Sequence, residues 1–209
     1  MTDHPANASA DLEISQGTVG LLGAARIGVK AVAVAAPAFA GAPAVATATV
    51  VVAQTIAGVF TETTLRLREG ALLPLADGGH RVLRVVPPGV HDNKGRVDVE
   101  REPREAAVRG AVIATADGML RIGGPSIDDA IDLAVLSFAP DERAPRSAEI
   151  EWRPAAFARK DTPPERIRRE TLSPGRTLAL PRASLKVASV DGSTPDRPAR
   201  VVFEVAPKP

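Results

Sequence analysis

Residues 65–70 read Leu65-Arg66-Leu67-Arg68-Glu69-Gly70, an apolar–polar alternation that stops at a glycine. A period of two marks a strand with one face buried. Fifty-three positions earlier stands Leu12-Glu13-Ile14-Ser15-Gln16-Gly17, the same pattern with the same ending. Fifty-three and then 52 positions later come Leu120 to Gly123 and Leu172 to Gly175. Gly17, Gly70, Gly123 and Gly175 thus form one column, and three apolar columns hold at that spacing. They are Val29, Val82, Val135, Val187; Val32, Val85, Phe138, Val190; and Ala44, Val97, Ile150, Val202. A fixed period of this length is the mark of tandem structural units. The four glycines are expected to be structural, each supplying φ > 0 or a bulge between the first and second strands of its unit.

Around these columns the chain reads as short strands separated by turns. Arg81 to Val85, Arg96 to Glu100, Leu185 to Val190 and Ala199 to Val205 alternate or are rich in β-branched residues. Ala76-Asp77-Gly78-Gly79, Pro87-Pro88-Gly89, Asp92-Asn93-Lys94-Gly95 and Asp191-Gly192-Ser193 are turn signals. Helical periodicity is confined to two connectors, Arg104 to Ala114 and Pro164 to Thr171. The expected fold is all-β, with about sixteen strands in about four modules of roughly 53 residues. The modules could form two β-sandwich or barrel-like domains, or a small propeller. The longer, charged connector at 103–117 favours a flexible tail at 1–11, then β-domains of two modules each at 12–105 and 106–209. Residues 64 to 100, with a Gly after a first strand, a Gly-Gly turn and a Val-rich return, resemble the small periplasmic β-modules of secretion-system proteins. No function is carried over from that likeness.

The composition narrows the chemistry. The 209 residues carry 26 Lys+Arg against 25 Asp+Glu, and a net charge of +1 gives no electrostatic case for a nucleic-acid partner. With no Cys, disulfide scaffolds, thiolate zinc sites and thiol catalysis are excluded. With 44% apolar residues the chain is not disordered as a whole. Arg far outnumbers Lys, and Ala, Val, Pro and Gly abound, as in high-GC bacterial or phage genes.

From Ala31 through Thr61 there is no charged residue. Such a run is long enough for a membrane span. However, 12 of the 30 residues from 31 to 60 are Ala, Pro37 and Pro43 interrupt them, and Thr47 to Val52 is a strand-like run rich in Val and Thr. A signal sequence led by Arg26 and Lys30 is a second reading. The third is a first β-module that is apolar on both faces and therefore covered on both. On that reading Val29, Val32, Val45, Val50, Val51, Val52, Ile56 and Phe60 are the candidate subunit-interface residues.

Candidate chemistry is sparse. His80 and His91, with Asp77 or Asp92, could be imagined on a metal, as imidazole and carboxylate suit several divalent ions. Ser126 to Asp132 places Asp128, Asp129 and Asp132 after Gly123-Gly124, a weak calcium-type cluster without EF-hand spacing. No nucleophile elbow or phosphate-binding glycine loop occurs, and no catalytic residue or cofactor is expected. Six basic residues (Arg153, Arg159, Lys160, Arg166, Arg168, Arg169) lie near Pro163-Pro164, as in a solvated linker.

These features lead to the expectation of a non-enzymatic structural or assembly protein of tandem β-modules in a larger oligomer, such as a virion, tail, surface-layer or secretion assembly. Its partners would be further copies or other structural proteins, held through the apolar first module. The alternative is an envelope protein with residues 31–60 as anchor or signal and a periplasmic β-rich binding domain, which keeps a membrane possible. Both place it in a virion, outside the cell or in a bacterial envelope rather than free in the cytoplasm.

Overall fold

The structure, a computed structural model, describes residues 10–35, 44–76, 78–89, 93–101, 111–123, 130–155, 161–194 and 198–208. It is all-β, with sixteen strands among the described residues. The first eight are β1 (Leu12–Ser15), β2 (Val19–Leu22), β3 (Ala25–Ala35), β4 (Val45–Ile56), β5 (Val59–Leu67), β6 (Leu72–Leu75), β7 (Gly78–Val86) and β8 (Arg96–Arg101). The second eight are β9 (Ala111–Thr115), β10 (Met119–Gly123), β11 (Ile131–Ala139), β12 (Ser147–Pro154), β13 (Arg168–Leu172), β14 (Thr177–Ala179), β15 (Ala183–Asp191) and β16 (Arg200–Pro207).

Three sheets result. One has the order β1-β8-β7-β6, one β14-β15-β16-β9, and the longest β13-β12-β11-β10-β5-β4-β3-β2. Every strand pairing within them is antiparallel. None closes into a barrel, and an eight-stranded sheet running through both halves is not a propeller blade. The pairing order of β9 to β16 reproduces that of β1 to β8: 1-8-7-6 matches 9-16-15-14, and 2-3-4-5 matches 10-11-12-13. The halves meet where β10 pairs with β5.

Two apolar clusters follow this division. Ile14, Val82, Val85, Val97 and Val99 pack with Ile27, Val29, Val50, Val52 and Leu65 of the long sheet. Phe203, Val187, Leu185 and Val201 pack with Leu120, Ile122, Leu133 and Ile150. In β4 burial alternates, with Ala48, Val50, Val52, Gln54 and Ile56 inward, as its period of two requires. The buried Gln54 amide is satisfied across the core: its Nε2 donates to the Pro74 carbonyl at 2.7 Å, and its Oε1 accepts from the Ala76 N–H at 2.8 Å.

The valine column falls on a shared geometric feature. Val29, Val82, Val135 and Val187 are all buried. Each is followed by one extra residue that shifts the register: Lys30, Leu83, Leu136 and Ala188. Such a bulge increases strand twist and re-aims the side chains beyond it. Gly17, Gly70 and Gly175 have φ near +80°, and each N–H donates at 2.8 Å to the carbonyl of Val29, Val82 and Val187 respectively. Gly123 differs: it ends β10, with φ +137°, and pairs with Phe60. The cause is the β10–β11 connection, residues 124–130 against 23–24 between β2 and β3. Beyond that insertion the columns hold; before it they slip by one strand.

Two further expectations are corrected, and a third holds in part. Residues 111–115, at the end of the connector read as helical, form β9. The other connector, read as one or two helical turns, keeps a single 3₁₀ turn, Pro164–Arg166, before the chain extends into β13. Residues 31–35 and 45–56 are strand, and among the described residues no helix is long and apolar enough to cross a membrane.

Candidate functional site

The outer face of the long sheet, turned away from both cores, is built row by row from cross-strand partners. Leu21 pairs with Arg26, Arg26 with Ala53, Ala53 with Glu62, Glu62 with Arg121, Arg121 with Asp132 and Asp132 with Arg153. The next row runs Val19, Gly28, Val51, Thr64, Met119. Directly opposed residues on one face are the closest side-chain neighbours a sheet provides.

Over the second half this face is an ion ladder. The Arg121 Nε donates to Asp132 Oδ1 at 2.8 Å, and its Nη1 lies 3.8 Å from Glu62 Oε1. The Arg153 guanidinium stands 3.9 Å from both Asp132 and Glu151, and Arg169 Nη2 donates to Glu151 Oε2 at 2.9 Å. Asp132, Glu151 and Arg153 are buried, so each charge depends on its neighbours. The bond to Asp132 raises the Arg121 pKa above its ordinary value, against the opposing effect of burial.

Over the first half the same face is apolar. Val19 is 66% exposed and Leu21 65%, and Val45 is exposed on the same face at the far end of the β3–β4 hairpin, whereas exposed Val34 pairs with Ala46 on the opposite face. An open groove of about 790 Å³ crosses β2 to β5, with Val19, Gly28, Val51, Ala53 and Phe60 among its lining and Arg26, Lys30 and Glu62 beside them. Arg26 and Lys30 are exposed, and neither forms an ion pair among the described residues. Two cations and one carboxylate around an apolar floor can hold a surface of matching charge. A smaller cavity of about 220 Å³, where Leu65 and Leu67 approach Ile113 and Thr115, is also largely aliphatic.

The interface candidates divide by face. Val29, Val50, Val52 and Ile56 are core residues of their own chain, and half-buried Val32 packs against that same core. Each therefore packs within the core of its own chain. Val51, Phe60 and exposed Val45 remain accessible, with Val51 and Phe60 lining the groove. The sequence run showed that the segment is apolar on both faces; only the register separates inward from outward. Val19, Leu21, Arg26 and Glu62 escaped the sequence reading because their neighbourhood is cross-strand.

Of the metal candidates, Asp132 is engaged by two arginines, and His80 is a half-buried residue of β7 opposite Leu73 and Arg101. His91, Asp77, Asp92, Asp128 and Asp129 lie outside the described residues. Among the described residues no three His, Asp or Glu side chains gather to hold a metal ion.

Neither a protein-family model, nor a curated protein, nor a solved structure matches this chain. The groove and the ladder therefore stand on their own chemistry.

Proposed function

We propose that this protein is a non-enzymatic structural or assembly protein whose chain is a tandem array of four β-modules that takes its place in a larger oligomer. Two modules interlock into each of two face-to-face sandwiches, residues 12–105 and 106–209, joined along one continuous sheet. The recurring bulge, the shared glycine bonds at three of four positions and the duplicated strand order support the modular reading.

The observation that carries the functional reading is the apolar outer face of β2 to β5. Val19 and Leu21 are two-thirds exposed on it, although a charged row covers the equivalent face of the second half. A contiguous apolar patch on one side of a polar molecule marks a contact surface. Covering it returns roughly 25 cal/mol per Å² before association costs. The partners are further copies of the chain or other structural proteins.

The anchor-or-signal reading of residues 31–60 gains no support from β3 and β4, whose inward residues fill a core. Native mass spectrometry of the full chain tests the proposal, since it reads the subunit count directly. A defined multimer is expected; a monomer alone, at all concentrations, contradicts it.

A further inference from the structure

The assembly surface has two possible geometries, a sheet edge or a sheet face, and the protein contains its own measure of the first. At β10 an edge is covered, by β5. There Gly118 precedes the strand, and a Cβ on it would stand 2.4 Å from the Thr64 carbonyl oxygen, a backbone atom. Only glycine permits that approach. By strand order and by the bond from its N–H to the residue three before it, Gly118 corresponds to Thr18 ahead of the free β2 edge. Thr18 carries a Cβ, and its hydroxyl donates to the Ser15 carbonyl at 2.7 Å. The same strand addition at β2 would collide. At the other end of the sheet β13 presents exposed Arg168, Arg169 and Glu170, charges of the kind that discourage edge pairing. Both edges of the long sheet are guarded, which leaves its face.

We propose that the outer face of β2 to β5, with β10 beside it, packs on the same face of a second copy, about a twofold axis lying between the sheets and running along β4. This rests on the assembly reading above and specifies its contact. The row Leu21–Arg26–Ala53–Glu62 dictates the arrangement. An axis along β4 keeps Ala53 opposite Ala53 and exchanges β3 with β5, so Arg26 of each copy meets Glu62 of the other, and Leu21 lies over the aliphatic stem of Arg121. The two pairs form reciprocally, as an isologous contact requires. Arg26, without an ion pair of its own among the described residues, gains a carboxylate. Glu62, held by Arg121 only at 3.8 Å, gains a second cation.

In the adjoining row Val51 meets Val51, Gly28 meets Thr64 and Val19 meets Met119. Small residues at the centre (Gly28, Ala53) let two sheets approach. Aligned sheets cross at about 30°, so rows along β4 away from the crossing point, such as Ala31–Thr49–Arg66, diverge. Four strands about 4.8 Å apart, two of them over 30 Å long, offer an area of the order a stable interface buries per partner, about 800 Å².

Charge exchange tests the pairing. In sedimentation velocity the wild-type chain is expected to be dimeric. Arg26→Glu alone and Glu62→Arg alone each set like charges face to face, which should raise the dissociation constant about a hundred-fold. A one-to-one mixture of the two variants should dimerise again, because each supplies the charge the other lacks. Circular dichroism confirms that both keep their strands. As a probe independent of these charges, Ala53→Cys in this cysteine-free chain should be joined into a covalent dimer by a short bismaleimide. Arg176→Cys, away from the face, should not. Single variants that dimerise like wild type, a mixture that stays monomeric, or Ala53→Cys that does not cross-link would each overturn this contact while the wild type still assembles. A wild-type monomer would overturn both this contact and the assembly reading.

Discussion

Asp132 shows how a residue changes meaning between chain and fold. In sequence it belongs to a run of carboxylates after two glycines; in the sheet its nearest charges are Arg121 and Arg153, its cross-strand partners on β10 and β12. Carboxylates are visible in a sequence, but the register that gives them cations is not. Removing one member of a buried charge network strands the others. Asp132→Ala should therefore cost about 3–5 kcal/mol in urea unfolding, since the Arg153 side chain is only 9% exposed. Asp141 offers an exposed contrast. Its Oδ1 accepts the N–H groups of Ala144 at 3.0 Å and Arg143 at 2.8 Å, and these bonds lower its pKa from the ordinary 3.8. A lowered carboxyl pKa means the turn gains from the charge above the ordinary value and loses it as pH falls through the lowered one. Hydrogen exchange should show the Arg143 and Ala144 amides losing protection on acidification below pH 3.8, faster than intrinsic exchange changes with pH. Asp141→Ala should remove that pH dependence.

At the scale of elements, alternation and turn chemistry located most strands. Arg81 to Val85, Arg96 to Glu100 and Leu185 to Val190 lie inside β7, β8 and β15 because one face of each is core. The repeat spacing singled out the valines that precede the bulges but not the bulges themselves, which no local pattern reveals. It misplaced the Gly123 column because an insertion between β10 and β11 changes the spacing without changing the strands. The two connectors read as helices were charged and carried few turn signals, yet tertiary pairing made Ala111–Thr115 and Arg168–Leu172 strands. The joint between halves yields a comparative prediction. Gly70→Ala meets no atom within 4 Å, so it carries only the φ penalty, about 1–2 kcal/mol. Gly118→Ala carries no φ penalty but meets the Thr64 carbonyl oxygen and must push β10 from β5. It should lower the thermal midpoint more than Gly70→Ala, with hydrogen exchange lost first along β5 and β10. Equal shifts would show that the joint is looser than this contact implies.

Over the whole molecule, the long sheet carries two kinds of outer face, charged over the second half and apolar over the first. The sequence showed that contrast as composition: between residues 12 and 60 only Glu13, Arg26 and Lys30 are charged. It did not show which apolar residues were free, since inward and outward valines look alike until a register assigns them. Val32 and Val51 separate the two roles. Val32→Asp puts a carboxylate beside the core and against Gly95, and should unfold the first half. Val51→Asp lies on the outer face and should leave the fold intact while abolishing self-association. Sedimentation velocity of the full wild-type chain beside Val51→Asp, across a wide concentration range without detergent, measures this most directly. The wild type should sediment as a multimer and Val51→Asp as a folded monomer; a wild type that stays monomeric at the highest concentration would contradict the proposal.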